Sequence, residues 1–161
     1  MPPELLDRIR QTKGLRIVER PDNRTVFLGM DSSRAELVHG EARDNPFKDA
    51  RVREAVSRAI DRTAIKARLM QGHSLPTQLM WAPSVFGYSR EDDAPMAADR
   101  DAALRLLQAA GYAGGFSVTL DCPADRYTAD KQICQAVAAQ LARACGVLRE
   151  LHRVTLIAED F

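Results

Sequence analysis

Apolar positions along the chain fall into stretches of helical and of strand-like spacing. Residues 4–12 put Leu5, Leu6 and Ile9 on one face, after Pro2 and Pro3 and before Gly14, which predicts a short helix. Leu15 to Val18 predicts a short strand, and Pro21 to Asn23 a turn. Thr25 to Met30 is a continuous apolar run of strand length, as expected of a strand covered on both faces in a mixed or parallel sheet. Residues 32–45 lack periodicity and read as a loop.

Asp49 then stands as an N-cap for a helix opening at Ala50, with Val52, Ala55, Val56, Ala59 and Ile60 on its apolar face. Asp61 is placed to cap a second helix, with Ile65 and Leu69 facing inward and Gly72 as its stop. Residues 73–95 form a long connection that carries Trp81, Phe86 and Tyr88. A connection of that length in a compact domain is usually functional or braced by something outside it. Asp99 to Ala110 predicts a helix facing inward through Ala103, Leu106, Leu107 and Ala110, stopped by the glycine-rich run from Gly111. Phe116, Val118, Leu120 and Cys122 alternate with polar residues, the period of a strand. Residues 125–128 read as a turn. Ala129 to Cys145 predicts the longest helix, with Ile133, Val137 and Leu141 in a row and Gly146 at its end. Residues 149–157 predict a last strand, with Leu151, Val154 and Leu156 as its apolar positions. This order of elements favours an α/β or α+β layered fold, helices packed on a mixed sheet.

Composition adds limits. The 161 residues are 45% apolar and 28% charged with a formal net charge of +1, which fits one globular unit. Near-neutrality argues against nucleic acid or an anionic membrane as partner. No run approaches the roughly 18–20 apolar residues of a membrane helix. Met1 and the residues after it lack the basic and apolar regions of an export signal.

Motifs for chemistry are missing. There is no GxxxxGK(S/T) loop, no GxGxxG after a strand, no HExxH and no GxSxG elbow, so no cofactor and no catalytic residue is expected. His39, His73 and His152 are far apart, and a lone loop histidine is usually just solvated. Asp49, Asp61 and Asp99 are explained as caps, and Glu91 to Asp93 as a polar loop. Arg51, Arg58 and Arg62 share a rough helical stripe diluted by Asp49, Glu54 and Asp61, which reads as a solvated face with some buried ion pairs. Three cysteines leave at least one thiol free; Cys134 and Cys145 share a predicted helix and cannot easily pair, and no Cys/His metal spacing exists. Cys122, Cys134 and Cys145 therefore read as small half-buried hydrophobes.

The segment Asn45-Pro-Phe-Lys-Asp-Ala-Arg-Val-Arg-Glu-Ala-Val-Ser-Arg-Ala-Ile-Asp-Arg resembles the signature of family 5 extracellular solute-binding proteins, the peptide-, nickel- and opine-type receptors of ABC importers. Arg24 to Asp31 resembles the strand before that signature, and Asp99 to Gly115 the helix and glycine turn after it. The resemblance runs over roughly residues 2–148. It implies a contiguous, truncated piece of the C-terminal lobe of a two-lobed type II periplasmic-binding fold, one domain over residues 1–161. The first lobe, the export signal and the returning C-terminal part would lie outside it. The implied function is to bind peptides or a similar small solute between two lobes and deliver it to a membrane permease, without catalysis and in the periplasm. In relatives the strand matching Thr25–Asp31 lines the cleft, so Phe27, Gly29 and Asp31, on one face by alternation, are expected at the ligand. Met70, at the end of the second signature helix, is expected there too. Trp81 joins them as an aromatic on a long loop. The same receptor fold can also serve as the sensory domain of a transcription regulator, which would place a helix-turn-helix upstream. A free-standing α/β enzyme would instead need a pocket with perturbed titratable groups, which no motif supports.

Overall fold

The computed structural model describes residues 5–20, 22–37, 44–94, 96–123, 126–145 and 154–156. His39, His152, Gly146 and Leu151 lie outside the described residues. The chain divides into two compact units, Met1–Phe27 with Thr63–Pro95, and Leu28–Arg62 with Met96–Phe161.

The second unit is built around the helix α2 (Ala50–Ala59), which packs against α4 (Arg100–Ala109) and α5 (Asp130–Cys145). Its predicted apolar stripe is the buried one: Val52, Ala55, Val56 and Ala59, continued by Ile60. Small residues on this face let neighbouring helices approach closely. From α4, Ala103 and Leu107 meet the same core. Asp49 begins α2 as predicted, accepting a hydrogen bond from the Arg51 N–H at 2.8 Å, and Asp99 begins α4 by accepting from the Ala102 N–H at 2.8 Å. At the end of α4, Gly111 takes φ +88°, where a side chain would be strained, and lets the Tyr112 N–H reach back to the Leu107 carbonyl at 2.8 Å.

The arginines near α2 serve its neighbours' backbones. Arg51 donates to the carbonyl of Ala109, in the last turn of α4, at 2.6 Å, while pairing with Asp49. A cation there offsets the unpaired carbonyls and the negative end of the helix dipole. Arg53 donates to the Phe47 carbonyl at 2.6 Å, Arg58 pairs with Glu54 one turn back at 2.8 Å, and Arg62 donates to the Ser57 carbonyl at 3.1 Å. Partial burial lowers the Arg62 pKa, as desolvation of a cation should. Arg51, Arg53 and Arg62 thus brace helix ends and turns, while Arg58 makes an ion pair within α2.

The sheet is narrower than the pattern suggested. Its described strands are β1 (Leu120–Cys122) and β2 (Val154–Leu156), which run parallel with Leu120 opposite Val154 and Cys122 opposite Leu156. The α5 helix connects them, making a β-α-β unit, since parallel neighbours need a crossover. The expected mixed sheet is therefore, among the described residues, a parallel pair. Residues 15–18 and 25–30 join no ladder among the described residues, because a strand exists only where a partner supplies the cross-strand hydrogen bonds. The α5 helix also buries a face one residue round from the predicted row. Cys134, Ala138, Leu141 and Ala144 are buried, while Ile133 and Val137 are half-buried. Close packing selects the small residues for the inner line. A second departure is covalent: Cys122 and Cys134 form a disulfide, with Cα atoms 6.3 Å apart. They are not the separate half-buried hydrophobes the spacing suggested, because the β-α turn returns the chain onto itself. Phe116 completes the core, edge-on to Phe47 at 5.8 Å and to Tyr112 at 5.2 Å between ring centroids.

The first unit has little apolar core. Its helices are the short α1 (Leu6–Arg10), shorter than the predicted span of residues 4–12, and α3 (Arg62–Arg68), whose first turn marks the division between the units. No α3 side chain is buried; Ile65 and Leu69 are half-buried. Leu6 and Ala82 are the buried apolar residues among those described in this unit. Polar contacts do much of the holding. His73 Nδ1 lies 3.0 Å from Glu19 Oε2, and Ser84 Oγ donates to Asn23 Oδ1 at 2.6 Å.

The Asp93 carboxylate organises the long connection. It accepts from the Thr77 hydroxyl, from the N–H groups of Gln78 at 2.8 Å and Leu79 at 3.2 Å, and from the Tyr88 hydroxyl at 2.9 Å. These bonds tie the two halves of the loop together from within, beside the contacts of His73 with Glu19 and Ser84 with Asn23. The donors to Asp93, the Thr77 hydroxyl foremost, hold its pKa down to about 2, against an ordinary value of 3.8. A carboxylate with a depressed folded pKa contributes stability that is present above its unfolded value and lost as pH falls through the folded one.

Two outcomes follow. Leu107→Ala should lower the urea stability of the second unit by about 2–4 kcal/mol, because Leu107 is 1% exposed and its cavity cannot fill with water; a change below about 0.5 kcal/mol would contradict the packing described. Emission of Trp81, the single tryptophan, should be constant above about pH 4 and shift as pH falls toward about 2. Asp93→Asn should remove that acid limb, and an unchanged limb would show that another group carries it.

Candidate functional site

The residues expected at a ligand divide between the two units. Phe27, Met70 and Trp81 belong to the first, and Gly29 and Asp31 to the second. Phe27 is 62% exposed and Trp81 46%, so both aromatic faces are available to a partner. Met70 is half-buried in the turn that ends α3, where its N–H donates to the Ile65 carbonyl at 3.2 Å. Gly72 closes that turn at φ +88°, with its N–H on the Lys66 carbonyl at 2.9 Å. A Cβ added to Gly29 would meet nothing within 4 Å, so local packing does not require glycine there. Residues 25–31 have no strand partner among the described residues.

Asp31 is engaged by its own loop. Its carboxylate accepts from the Ser33 N–H at 3.0 Å, the Ser33 hydroxyl at 3.0 Å and the Arg34 N–H at 3.2 Å, and pairs with the Arg34 guanidinium at 3.2 Å. The Ser33 N–H contributes most to holding its pKa below the ordinary carboxylate value. This is an Asx-type turn, in which a short carboxylate replaces a backbone acceptor.

Asn45 fixes where that turn sits, a role sequence reading missed. It is 4% exposed, and its amide donates to the Asp31 carbonyl at 2.8 Å and the Arg34 carbonyl at 3.0 Å. Its side-chain oxygen accepts from the Phe47 N–H at 2.9 Å, capping the 3₁₀ turn Pro46–Lys48. One buried amide thus ties Asp31 and Arg34 to the start of α2. The only sequence signal was Asn before Pro, a common turn opener. Asp93 was missed as well, because its partners stand up to 16 positions away in sequence.

Titratable clusters suited to catalysis do not assemble around these positions. Among the described residues no group of three or more His, Cys, Asp or Glu side chains could hold a metal ion, and no helix is long and apolar enough to cross a membrane. In the first unit these positions offer two exposed aromatic rings and a half-buried thioether, and in the second an open glycine and an ordered acidic turn.

The model of the middle region of bacterial extracellular solute-binding proteins, family 5, matches residues 1–156. A glutathione-binding protein GsiB of Shigella flexneri serotype 5b is 27% identical over 143 residues, covering 89% of this chain and 26% of the relative. That of Salmonella typhimurium is 30% identical over 135 residues, covering 84% of this chain and 24% of the relative. A dipeptide-binding protein of Escherichia coli is 26% identical over 118 residues, covering 73% and 20%. The chain spans about a quarter of the length of the curated relatives it matches. A match along nearly the whole chain, through the segment that builds α2, places it among the bacterial extracellular solute-binding proteins of family 5.

Proposed function

We propose that this chain forms part of the C-terminal lobe of the substrate-binding component of an ABC importer, in the periplasm. The receptor it belongs to takes a peptide or similar small solute between two lobes and delivers it to a membrane permease, with no chemical step. The observation that carries this reading is the family match over residues 1–156, joined by relatives named for binding glutathione and dipeptides.

Mechanism here means differential contact. A two-lobed receptor closes because the ligand has more contacts in the closed state, and closure shifts a population by no more than that difference. The distribution of apolar surface supports this. All the large exposed hydrophobic residues described, Tyr127 excepted, belong to the first unit. They include Phe27, Leu75, Met80, Trp81 and Phe86. Exposed large apolar side chains are available to meet a ligand or a neighbour.

In this proposal Phe27 and Trp81 supply apolar area to a ligand, Met70 adapts to its side chains, and Gly29 leaves room for backbone to approach. Asp31, its carboxylate already bonded within its turn, orients the end of the segment 25–31. Peptide-type ligands suit such a surface, since aromatic rings accept varied side chains through dispersion and area burial.

In the receptor assembled with its first lobe, calorimetric titration should give dipeptide or glutathione binding that Trp81→Ala weakens about tenfold or more, ~1.4 kcal/mol. Phe27→Ala should act in the same direction. Dissociation constants unchanged within about twofold in both variants would remove this face from the ligand site.

A further inference from the structure

We infer that the Cys122–Cys134 disulfide is an oxidative lock on the turn of residues 126–129 that leads into α5, set when the protein enters an oxidising compartment. The bond links the last residue of β1 to the second turn of α5, across 12 positions of sequence. Both residues are buried, at 4% and 7% exposure, and Cys134 stands in the buried line of α5 beside Ala138 and Leu141. The end of the enclosed loop has a conformation that needs holding. Ala129 adopts φ +59°, a left-handed backbone disfavoured by its Cβ. Beside it, Asp130 is 7% exposed and accepts from the N–H groups of Arg126 at 2.9 Å, Tyr127 at 3.1 Å and Lys131 at 2.7 Å. One covalent bond and one carboxylate thus bound the loop on its helix side.

Cys145 cannot substitute in this bond. It ends α5, 11 positions beyond Cys134, which at 1.5 Å per residue sets the two about 16 Å apart, far outside disulfide reach. The bond accounts for two of the three cysteines of the chain.

The step balances as thiol–disulfide exchange with a protein or low-molecular-weight disulfide as oxidant. One cysteine thiolate attacks the oxidant's S–S bond and forms a mixed disulfide, releasing one sulfur as thiol. The second cysteine thiolate then attacks the chain's sulfur in that mixed disulfide, forming the Cys122–Cys134 bond and releasing the other oxidant sulfur. Two electrons pass to the oxidant, and the two cysteine protons end on its thiols. Structural disulfides persist in the periplasm and are rare in the reducing cytosol. The inference deepens the proposed location, and its readouts involve no ligand, so it can fail while the solute-binding reading stands.

The test uses the whole chain refolded in a glutathione redox buffer and, separately, in excess reductant. After oxidative refolding and denaturation without reductant, a maleimide should label one thiol per chain, at Cys145, with Cys122 and Cys134 joined in one peptide. Reduction should expose all three. Limited trypsin digestion followed by mass spectrometry should cut after Arg126 about tenfold or more faster in the reduced chain than in the oxidised one. Cutting after Arg58, within α2, should rise far less, by no more than the general loss of stability allows. The Cys122→Ser, Cys134→Ser double variant should melt about 5–10 °C lower than the oxidised chain. Three labelled thiols after oxidative refolding, a linkage through Cys145, or equal cutting after Arg126 in the two forms would overturn the lock. Equal acceleration after Arg58 would overturn its local character.

Discussion

Burial of α2 between α4 and α5 is the constraint on which the second unit depends. Val52, Ala55, Val56 and Ala59 commit one face of the helix to the core. Its polar side chains are then left to satisfy backbone groups that burial would orphan. Asp49 caps α2, Arg51 braces the end of α4, and Arg53 holds the preceding turn. Just before the helix, Asn45 ties in the loop from Asp31 to Arg34. A segment rich in arginine and aspartate thus acts as scaffold. The most recognisable stretch of the sequence builds the core of the second unit.

The two units are stabilised by different physics. The second rests on apolar packing, a disulfide and helix caps. The first has few buried apolar residues and leans on hydrogen bonds to exposed or half-exposed carboxylates, with Asp93 as the busiest. Such bonds contribute modestly each, because water competes for the same groups. The first unit also carries nearly all the exposed large hydrophobic side chains.

Local signals in the sequence were sufficient for local structure. Asp49 and Asp99 announced their helices because a cap acts within a few residues, and the α2 stripe was legible because helical spacing needs no partner to be read. Pairing was less accessible. Residues 25–30 have the composition of a buried strand, yet a strand is completed only by a neighbour that the segment itself does not specify. The disulfide depended on how tightly the chain turns between β1 and α5, which spacing alone leaves open. On α5, the conspicuous Ile133 and Val137 drew attention from the smaller Cys134 and Ala138 that pack inside. Of the candidate site, Phe27 and Trp81 stood out as aromatics and are exposed. The internal use of the Asp31 carboxylate was hidden because any Asp before Ser could equally face a ligand.

Binding that requires two lobes is the central claim, and it is tested most directly by isothermal titration of a dipeptide mixture and of glutathione into the 161-residue chain alone. The account predicts no saturable heat at micromolar concentrations, because one face supplies only part of the contacts that closure would provide. Saturable micromolar binding by this chain alone would contradict it.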